Sequence, residues 1–237
     1  MDPSVARIAG VTAMLVAAGY VASSIAAALM PTELQGDPAI TPHQFWLVLS
    51  ANPTAHLAYH WCWVFVGLTG LGVVPGVYQM TRQAGQGWAS WGAGLGFLGF
   101  AVNARSHLME VSFDRKIIPI YSEADPATQQ AVQVVAGLAL DVPDGFLTYG
   151  AMGAWVLITT LLARRVAGFP TFLRYLGLAA AASFLLGLIA YLLLNQLLLV
   201  IAIGLGGLIL VPAWFTLLGL YLLRASNRPS QQCEATP

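Results

Sequence analysis

Long apolar runs are the feature that most restricts what this chain can fold into. About 20 consecutive apolar residues cross a hydrocarbon core of roughly 30 Å. Six runs approach or exceed that length, and polar or proline-containing segments separate them; they cover residues 5–30, 54–80, 88–112, 144–163, 172–194 and 197–223. The sequence therefore predicts an all-α, polytopic membrane bundle of six transmembrane helices. Residues 1–225 form this single domain, and residues 226–237 form a disordered cytoplasmic tail.

The composition and charge support a membrane location and exclude one class of partner. Hydrophobic residues make up 58% of the chain and charged residues only 8%, whereas soluble domains carry about 25% charged residues. Ten basic and ten acidic residues cancel, so the clustered basic surface that nucleic acid requires is not expected. The lipid bilayer is the expected environment.

The distribution of basic residues predicts the orientation in the cell membrane. Short cytoplasmic loops keep an excess of Lys and Arg. With a cytoplasmic N-terminus, seven basic residues fall inside and three outside. The inner ones are Arg7, Arg82, Arg164, Arg165, Arg174, Arg224 and Arg228, and the outer ones are Arg105, Arg115 and Lys116. Both termini are therefore predicted to be cytoplasmic, with all four histidines at the outer end of the bundle.

A stripe of small and then polar residues follows one face of the third predicted span. Its members, spaced by three or four residues, are Gly92, Gly96, Gly99, Asn103, His107, Glu110 and Asp114. Such spacing places them on a single helical face. Because glycines allow helix backbones to approach closely in lipid, this face is expected to pack on a neighbour and to direct its polar residues inward.

The second predicted span repeats this pattern. His56 and His60 lie four residues apart, and Gly67 and Gly70 continue the same face. If the two helices pack glycine face to glycine face, both histidines converge with His107 and Glu110. Asp141, Asp144 and Thr148 form a shorter polar stripe on the fourth span, so a polar pocket is predicted at the extracytoplasmic end of spans two to four. Nearby Trp46, Tyr59, Trp61 and Trp63 are predicted to form an interfacial aromatic belt.

Several chemistries fit these residues. His56, His60, His107 and Glu110 suit a tetrahedral site for a zinc-like divalent metal. A b-type haem held between His56 or His60 and His107 is an alternative. A third hypothesis is a cofactor-free pocket in which Arg105, Glu110 and Asp144 bind or protonate a polar head group or small hydrophobic ligand. A fourth is purely structural, because ionisable residues near helix ends can reach the interface or satisfy one another.

Three functional classes follow from these alternatives. The first is a multi-pass membrane protein that binds a metal or a small or lipidic ligand. The second is a membrane enzyme that acts on a hydrophobic metabolite or lipid by acid–base chemistry. The third is a non-catalytic accessory subunit of a membrane complex, in which a glycine stripe such as residues 204–207 packs against a partner. No G-x-S-x-G or C-x-x-C motif is present to favour nucleophilic or thiol chemistry.

Short motifs along the chain resemble a large bacterial family of six-helix membrane proteins known as a domain of unknown function. They are R-I-A-G at residues 7–10, F-P-T-F-L-R-Y-L-G-L at residues 169–178 and W-F-T-L-L-G-L-Y-L-L at residues 214–223. The resemblance implies a six-helix fold and no particular activity. It also implies a charged pair near the end of the third helix, for which Arg105 and Glu110 are the matching positions.

Overall fold

The computed structural model describes residues 1–35, 39–140 and 144–227, and over these ranges every regular element is helical. The α-helices are α1 (Pro3–Ala28), α2 (Pro42–Ala51), α3 (Pro53–Leu71), α4 (Val73–Thr81), α5 (Gln86–Tyr121), α6 (Pro126–Leu140), α7 (Asp144–Ala163), α8 (Thr171–Leu192), α9 (Gln196–Ile201) and α10 (Val211–Ser226). A π-helical segment, Ala202–Leu210, joins α9 to α10. The predicted tail falls mostly outside the described residues.

Within the described ranges, five helical stretches are long and apolar enough to cross a membrane. They are Pro3–Ala28, Pro53–Ala84, Gly145–Ala163, Thr171–Leu192 and Leu197–Ser226. The third predicted span corresponds to α5, which is not among them because glycine and polar residues lower the hydropathy of its apolar first half. At 36 residues, α5 is about 54 Å long at 1.5 Å per residue, well beyond a hydrocarbon core of roughly 30 Å. The all-helical class is confirmed, and the count of six spans stays a prediction.

Helix ends follow the local chemistry of the sequence. The Asp125 carboxylate accepts hydrogen bonds from the backbone N–H of Ala127 at 2.9 Å and of Thr128 at 3.0 Å, and Pro126 opens α6. The backbone bond from Thr128 lowers the pKa of Asp125 from its ordinary value. Asn195 similarly accepts from the N–H of Leu198 at 3.0 Å. Asn195 therefore caps a new helix, and a turn separates α8 from α9.

Proline explains why the second span is two helices and not one. Pro75 has no N–H, and its ring clashes with the carbonyl four residues earlier. That residue is Leu71, where α3 ends, and Gly72 separates α3 from α4. Gly72 also lies against α1, since a Cβ there would approach the Thr12 side chain to 2.7 Å. The break therefore occurs where the chain must also pass close to its neighbour.

The long helices form a closed ring. Each packs on the next in the order α10, α1, α3, α5, α7 and α8, and α8 contacts both α10 and the π-helical segment. Large buried aromatic residues fill the centre, including Phe100, Trp155, Trp214 and Phe215. Neighbouring rings meet edge to face, for example Phe100 and Trp155 with centroids 5.4 Å apart, a geometry that aromatic pairs favour.

The glycine stripes do not pack on each other as the sequence predicted. A Cβ on Gly67 of α3 would lie 2.7 Å from both the Ala104 N atom and the Phe100 carbonyl oxygen of α5. The glycines of α5 instead receive α7: a Cβ on Gly99 would lie 2.5 Å from Met152 Cγ. Gly67 thus accommodates the backbone of α5, and Gly99 accommodates a larger side chain of α7, because the interior of the ring is filled without large voids.

A second, smaller hydrophobic cluster lies at one end of the ring, and we call it the end cluster. Its buried members are Met30, Leu34, Trp46, Leu49, Tyr121, Val132 and Ala136. They come from α2, α6, the end of α5 and the loop after α1. Partly buried Ala55 and Tyr59 of α3 pack against it. The end cluster therefore closes the ring where α3 begins.

The close approach of α3 to α5 can be tested with one methyl group. Gly67→Ala is expected to lower stability because its Cβ would meet backbone atoms of α5, and overpacking typically costs about 1–3 kcal/mol. A Cβ on Gly94 of α5 would have no atom within 4 Å, so Gly94→Ala is expected to stabilise the helix by roughly 0.5–1 kcal/mol. Unfolding in mixed detergent micelles measures both; equal effects would contradict this packing.

Candidate functional site

Five ionisable side chains of α3 and α5 meet at the covered end of the ring. His60 Nδ1 lies 2.9 Å from His107 Nδ1 and 2.7 Å from Glu110 Oε2. His60 Nε2 lies 3.1 Å from His56 Nε2, which lies 3.2 Å from Asp114 Oδ2. Of the four residues predicted to hold one metal ion, His60, His107 and Glu110 thus come together, whereas His56 lies at the other ring nitrogen of His60, beside Asp114.

Helix geometry and packing place each of these groups. His56 and His60 are one turn apart on α3, and the Asn103 side chain of α5 donates a hydrogen bond to the Trp63 carbonyl at 2.9 Å. The Trp63 indole stacks on the His107 imidazole, with centroids 5.7 Å apart and planes 18° apart. The two helices are therefore linked immediately beside the histidines, and His107 is held against an aromatic face.

The cluster is largely removed from water. His60 and Asp114 are 5% and 2% exposed, and the Phe45 ring of α2 lies edge-on to His56 with centroids 6.0 Å apart. Glu110 is the most accessible ligand candidate, with a side-chain exposure of 28%. Water is thus kept from most of the cluster and reaches it mainly beside Glu110.

Two buried atoms of this cluster have no hydrogen-bond partner: His56 Nδ1 and Asp114 Oδ2. The 3.2 Å approach of Asp114 to His56 Nε2 is a close contact whose angles do not make a hydrogen bond. A carboxylate away from water is unfavourable unless a proton or a positive charge neutralises it. The arrangement can therefore accept a cation.

A cavity of about 280 Å³ lies beside the cluster in the centre of the ring. His107 and Glu110 line one wall, and side chains from α1, α3, α7, α8 and the π-helical segment complete it. The aromatic lining residues are Tyr20, Tyr59, Trp63, Tyr149, Phe184 and Tyr191, and the smaller polar ones are Asn103, Ser106, Thr148 and Ser183. The cavity is just below the range of about 300–1,000 Å³ for drug-sized ligands, so it suits a small molecule.

The proposed acid–base residues are not brought together. Glu110 lines the cavity, but Arg105 is exposed and is not part of its lining. Residues five apart on a helix point about 140° away from each other at 3.6 residues per turn, so these two side chains leave α5 on different sides. The Asp144 side chain and the whole of Asp141 lie outside the described residues. His43 is in contact with the Tyr121 hydroxyl at 3.0 Å and not with the other histidines.

The sequence pattern missed the aromatic lining and the pairing of Asp114. Tyr59 and Trp63, predicted as part of an interfacial belt, line the cavity, and Trp46 is buried in the end cluster. Of that group only Trp61 is largely exposed, at 47%. The four-residue spacing of Tyr59 and Trp63 was a usable signal, since it places both on one face of α3, as was the position of Asp114 on the α5 stripe.

The geometry favours a small ion over a haem. Axial nitrogens on opposite sides of a haem iron are about 4 Å apart, twice a metal–nitrogen bond of about 2.0 Å. His60 Nδ1 and His107 Nδ1 are 2.9 Å apart, and Glu110 also contacts the same nitrogen. His60 does not reach the cavity. A macrocycle therefore has no space between the two rings.

Comparison with models of known protein families, with curated proteins and with solved structures finds no match.

The link between α3 and α5 predicts a measurable effect at Asn103. Asn103→Ala removes the interhelical hydrogen bond to the Trp63 carbonyl and is expected to cost about 0.5–1.5 kcal/mol in the free energy of unfolding. Ser112→Ala on the same helix is the control, because its exposed hydroxyl donates only to its own helix at the Leu108 carbonyl. Detergent-based unfolding compares the two variants, and a loss no larger for Asn103→Ala would show that this bond does not hold the helices together.

Proposed function

We propose that this protein is a multi-pass membrane protein that holds a divalent, zinc-like metal ion between α3 and α5. The observation that carries this proposal is the convergence of one ligand atom each from His60, His107 and Glu110, all within 4.8 Å of one another. Two imidazoles and one carboxylate form a ligand set that zinc uses in catalytic sites, with the fourth position open to water or substrate.

The separations suit an ion after a small adjustment. Ligand atoms around a tetrahedral ion lie roughly 3.3 Å apart when the metal–ligand bonds are about 2.0–2.1 Å. His60 Nδ1 is 2.9 Å from His107 Nδ1 and 2.7 Å from Glu110 Oε2, so each pair must separate by a few tenths of an ångström. Rotation of the Glu110 side chain, the most exposed of the three, can supply most of this movement.

The cavity supports a second part of the proposal, a small hydrophobic or lipidic ligand beside the ion. His107 and Glu110 belong both to the ligand set and to the cavity wall. An ion held there has its open coordination position on the cavity side. The aromatic lining favours an apolar ligand body, whereas the ion and the few hydroxyl groups favour a single polar head group.

A membrane enzyme is the second candidate, and the position of Glu110 favours it. A carboxylate that is partly exposed and lines a cavity can hold or move a proton of a bound molecule. A neighbouring ion would in addition polarise a carbonyl or lower the pKa of its bound water. This proposal assigns acid–base work to Glu110 alone and not to Arg105 or Asp144.

The accessory-subunit hypothesis receives less support. Two residues of the 204–207 stripe face the interior: a Cβ on Gly206 would collide with the Ser183 side chain of α8, and Gly207 lines the cavity. Gly204 faces open space. A glycine stripe that packs inside its own bundle is not left for a partner, so we give this hypothesis no further role.

We also propose six spans in the cell membrane, with α5 as the third and both termini cytoplasmic. The location of α5 between α3 and α7 in the ring supports this count, since a helix enclosed by spanning neighbours tolerates polar residues that face inward. The excess of basic residues at the opposite end supports the orientation. The cluster then lies at the extracytoplasmic end.

Metal content tests the first proposal. Purified protein dialysed against zinc is expected to retain the ion. His107→Ala and Glu110→Gln are each expected to release one zinc per chain. Loss of a residue that contacts the hydrogen-bond partner of a metal ligand weakens metal binding by about 10–100-fold, and loss of the ligand itself should weaken it further. His43→Ala is the control, because His43 contacts Tyr121 outside the cluster. Elemental analysis measures zinc; wild-type protein without zinc would rule the proposal out.

A pair of glycines tests the cavity. Gly207 lines the cavity and a Cβ there would meet only Ile203, at 3.8 Å, whereas Gly204 faces outward with no atom within 4 Å. Octanohydroxamate, a metal-binding head group on an apolar chain, is expected to bind the zinc-loaded protein in calorimetry. Gly207→Leu should weaken this binding at least about tenfold, or by 1.4 kcal/mol, and Gly204→Leu should not. Equal affinities in both variants would place the ligand elsewhere.

A further inference from the structure

The imidazole of His60 is shared by two groups of ligand atoms. At its Nδ1 end lie His107 and Glu110, which form the site proposed above. At its Nε2 end lies His56 Nε2 at 3.1 Å, and Asp114 Oδ2 lies 3.2 Å from the same His56 nitrogen. Within the part of the chain that the structure describes, His56, His60 and Asp114 are the second group whose ligand atoms all lie within 4.8 Å of one another.

A single N–H on His56 Nε2 does not satisfy both of its contacts. A neutral imidazole carries one N–H, so His56 Nε2 can donate either to His60 Nε2 or to Asp114 Oδ2 but not fully to both. Asp114 Oδ2 accepts no hydrogen bond although the residue is only 2% exposed. A cation placed among the three atoms would meet all of their lone pairs and compensate the buried carboxylate.

Two of the three distances in this group match those around a metal ion. Separations of 3.1 and 3.2 Å are close to the roughly 3.3 Å expected between ligands of a tetrahedral ion with bonds of about 2.0–2.1 Å. They are longer than the 2.7 and 2.9 Å contacts on the other side of His60. The third pair, His60 and Asp114, has ligand atoms within 4.8 Å of each other.

We propose that His56 Nε2, His60 Nε2 and Asp114 Oδ2 bind a second divalent metal ion, and that the His60 ring bridges it to the ion of the cavity-facing site. This inference rests on the proposed function, because the bridge requires the first ion. To bind both ions His60 must lose its remaining ring proton, which passes to the buffer, and becomes an imidazolate. The two bound carboxylates and this imidazolate offset three of the four positive charges.

The two ions have different surroundings and therefore different roles. None of His56, His60 and Asp114 lines the cavity, and the Phe45 ring covers His56 from the side of α2. The second ion is consequently shut away from the ligand. It fixes the orientation of His60 and supports the first ion, which alone faces the cavity.

Metal stoichiometry tests the second site. Wild-type protein dialysed against zinc is expected to hold two zinc ions per chain, and Asp114→Asn and His56→Ala one each. His60→Ala is expected to hold none, because each group then keeps only two ligands. His43→Ala should keep two. Asp114→Asn preserves the side-chain shape, and a single symmetric gel-filtration peak for each variant shows that metal loss is not unfolding.

Spin coupling tests the bridge. With two Cu²⁺ ions per chain, an imidazolate bridge couples the unpaired electrons and suppresses the electron paramagnetic resonance signal at low temperature. Asp114→Asn, with one Cu²⁺ per chain, should recover an uncoupled signal that accounts for all of its bound copper. Two bound ions with a full, uncoupled signal in the wild type would overturn the bridge.

The outcomes separate this inference from the function on which it rests. One zinc per wild-type chain that is lost in His107→Ala and kept in His56→Ala and Asp114→Asn overturns the second ion and leaves the proposed function standing. No zinc in the wild type overturns both. Two zinc ions, of which one is lost in Asp114→Asn and one in Glu110→Gln, support the shared site.

Discussion

The approach of α3 to α5 at Gly67 is the constraint on which the rest of the structure depends. A Cβ at this position would meet backbone atoms of α5 at 2.7 Å, so only glycine lets the two backbones lie so near. That separation brings imidazoles from both helices into direct contact, with His60 Nδ1 and His107 Nδ1 2.9 Å apart. A wider helix pair would leave each histidine facing lipid or water alone. Packing on a small residue thus creates the polar cluster, because close helix contact in lipid is driven by van der Waals complementarity and interhelical hydrogen bonds.

The cluster contains a buried carboxylate, and the residues that cover it increase the free-energy cost of burying its charge. The end cluster, with Trp46 and Tyr121, covers the beginning of α3, and Asp114 is almost entirely removed from water. Burying a carboxylate costs free energy unless a positive charge accompanies it. Divalent metal ions are the cations that this set of nitrogen and oxygen ligands selects. The proposed metal chemistry is therefore a consequence of burial and not only of residue spacing.

The cavity in which we propose a ligand is formed by the same ring of helices. The π-helical segment packs on both α8 and α1, and a space of about 280 Å³ remains beside it. Gly207 keeps one wall of this space open because no side chain occupies that place. The π-helical geometry precedes Pro212, whose missing N–H frees a carbonyl one turn earlier. The π-helical segment therefore lies next to the proposed ligand, on the side opposite His107 and Glu110. Substitutions in this segment would change the size of the ligand that fits the cavity before they change metal binding.

The sequence alone determined the features that depend on neighbours within one helix. Apolar length predicted the helices, and the spacing of His56, His60, His107 and Glu110 placed them on two helical faces. Only the tertiary structure decided what each face meets: α7 and not α3 receives the α5 glycine Gly99, Arg105 lies outside the cavity, and Tyr59 and Trp63 line it. The approach of Asp114 to His56 likewise depends on how α5 packs on α3. Periodicity is a property of one helix and specifies a direction, whereas the partner in that direction depends on how side-chain volumes from several helices fill a shared interior.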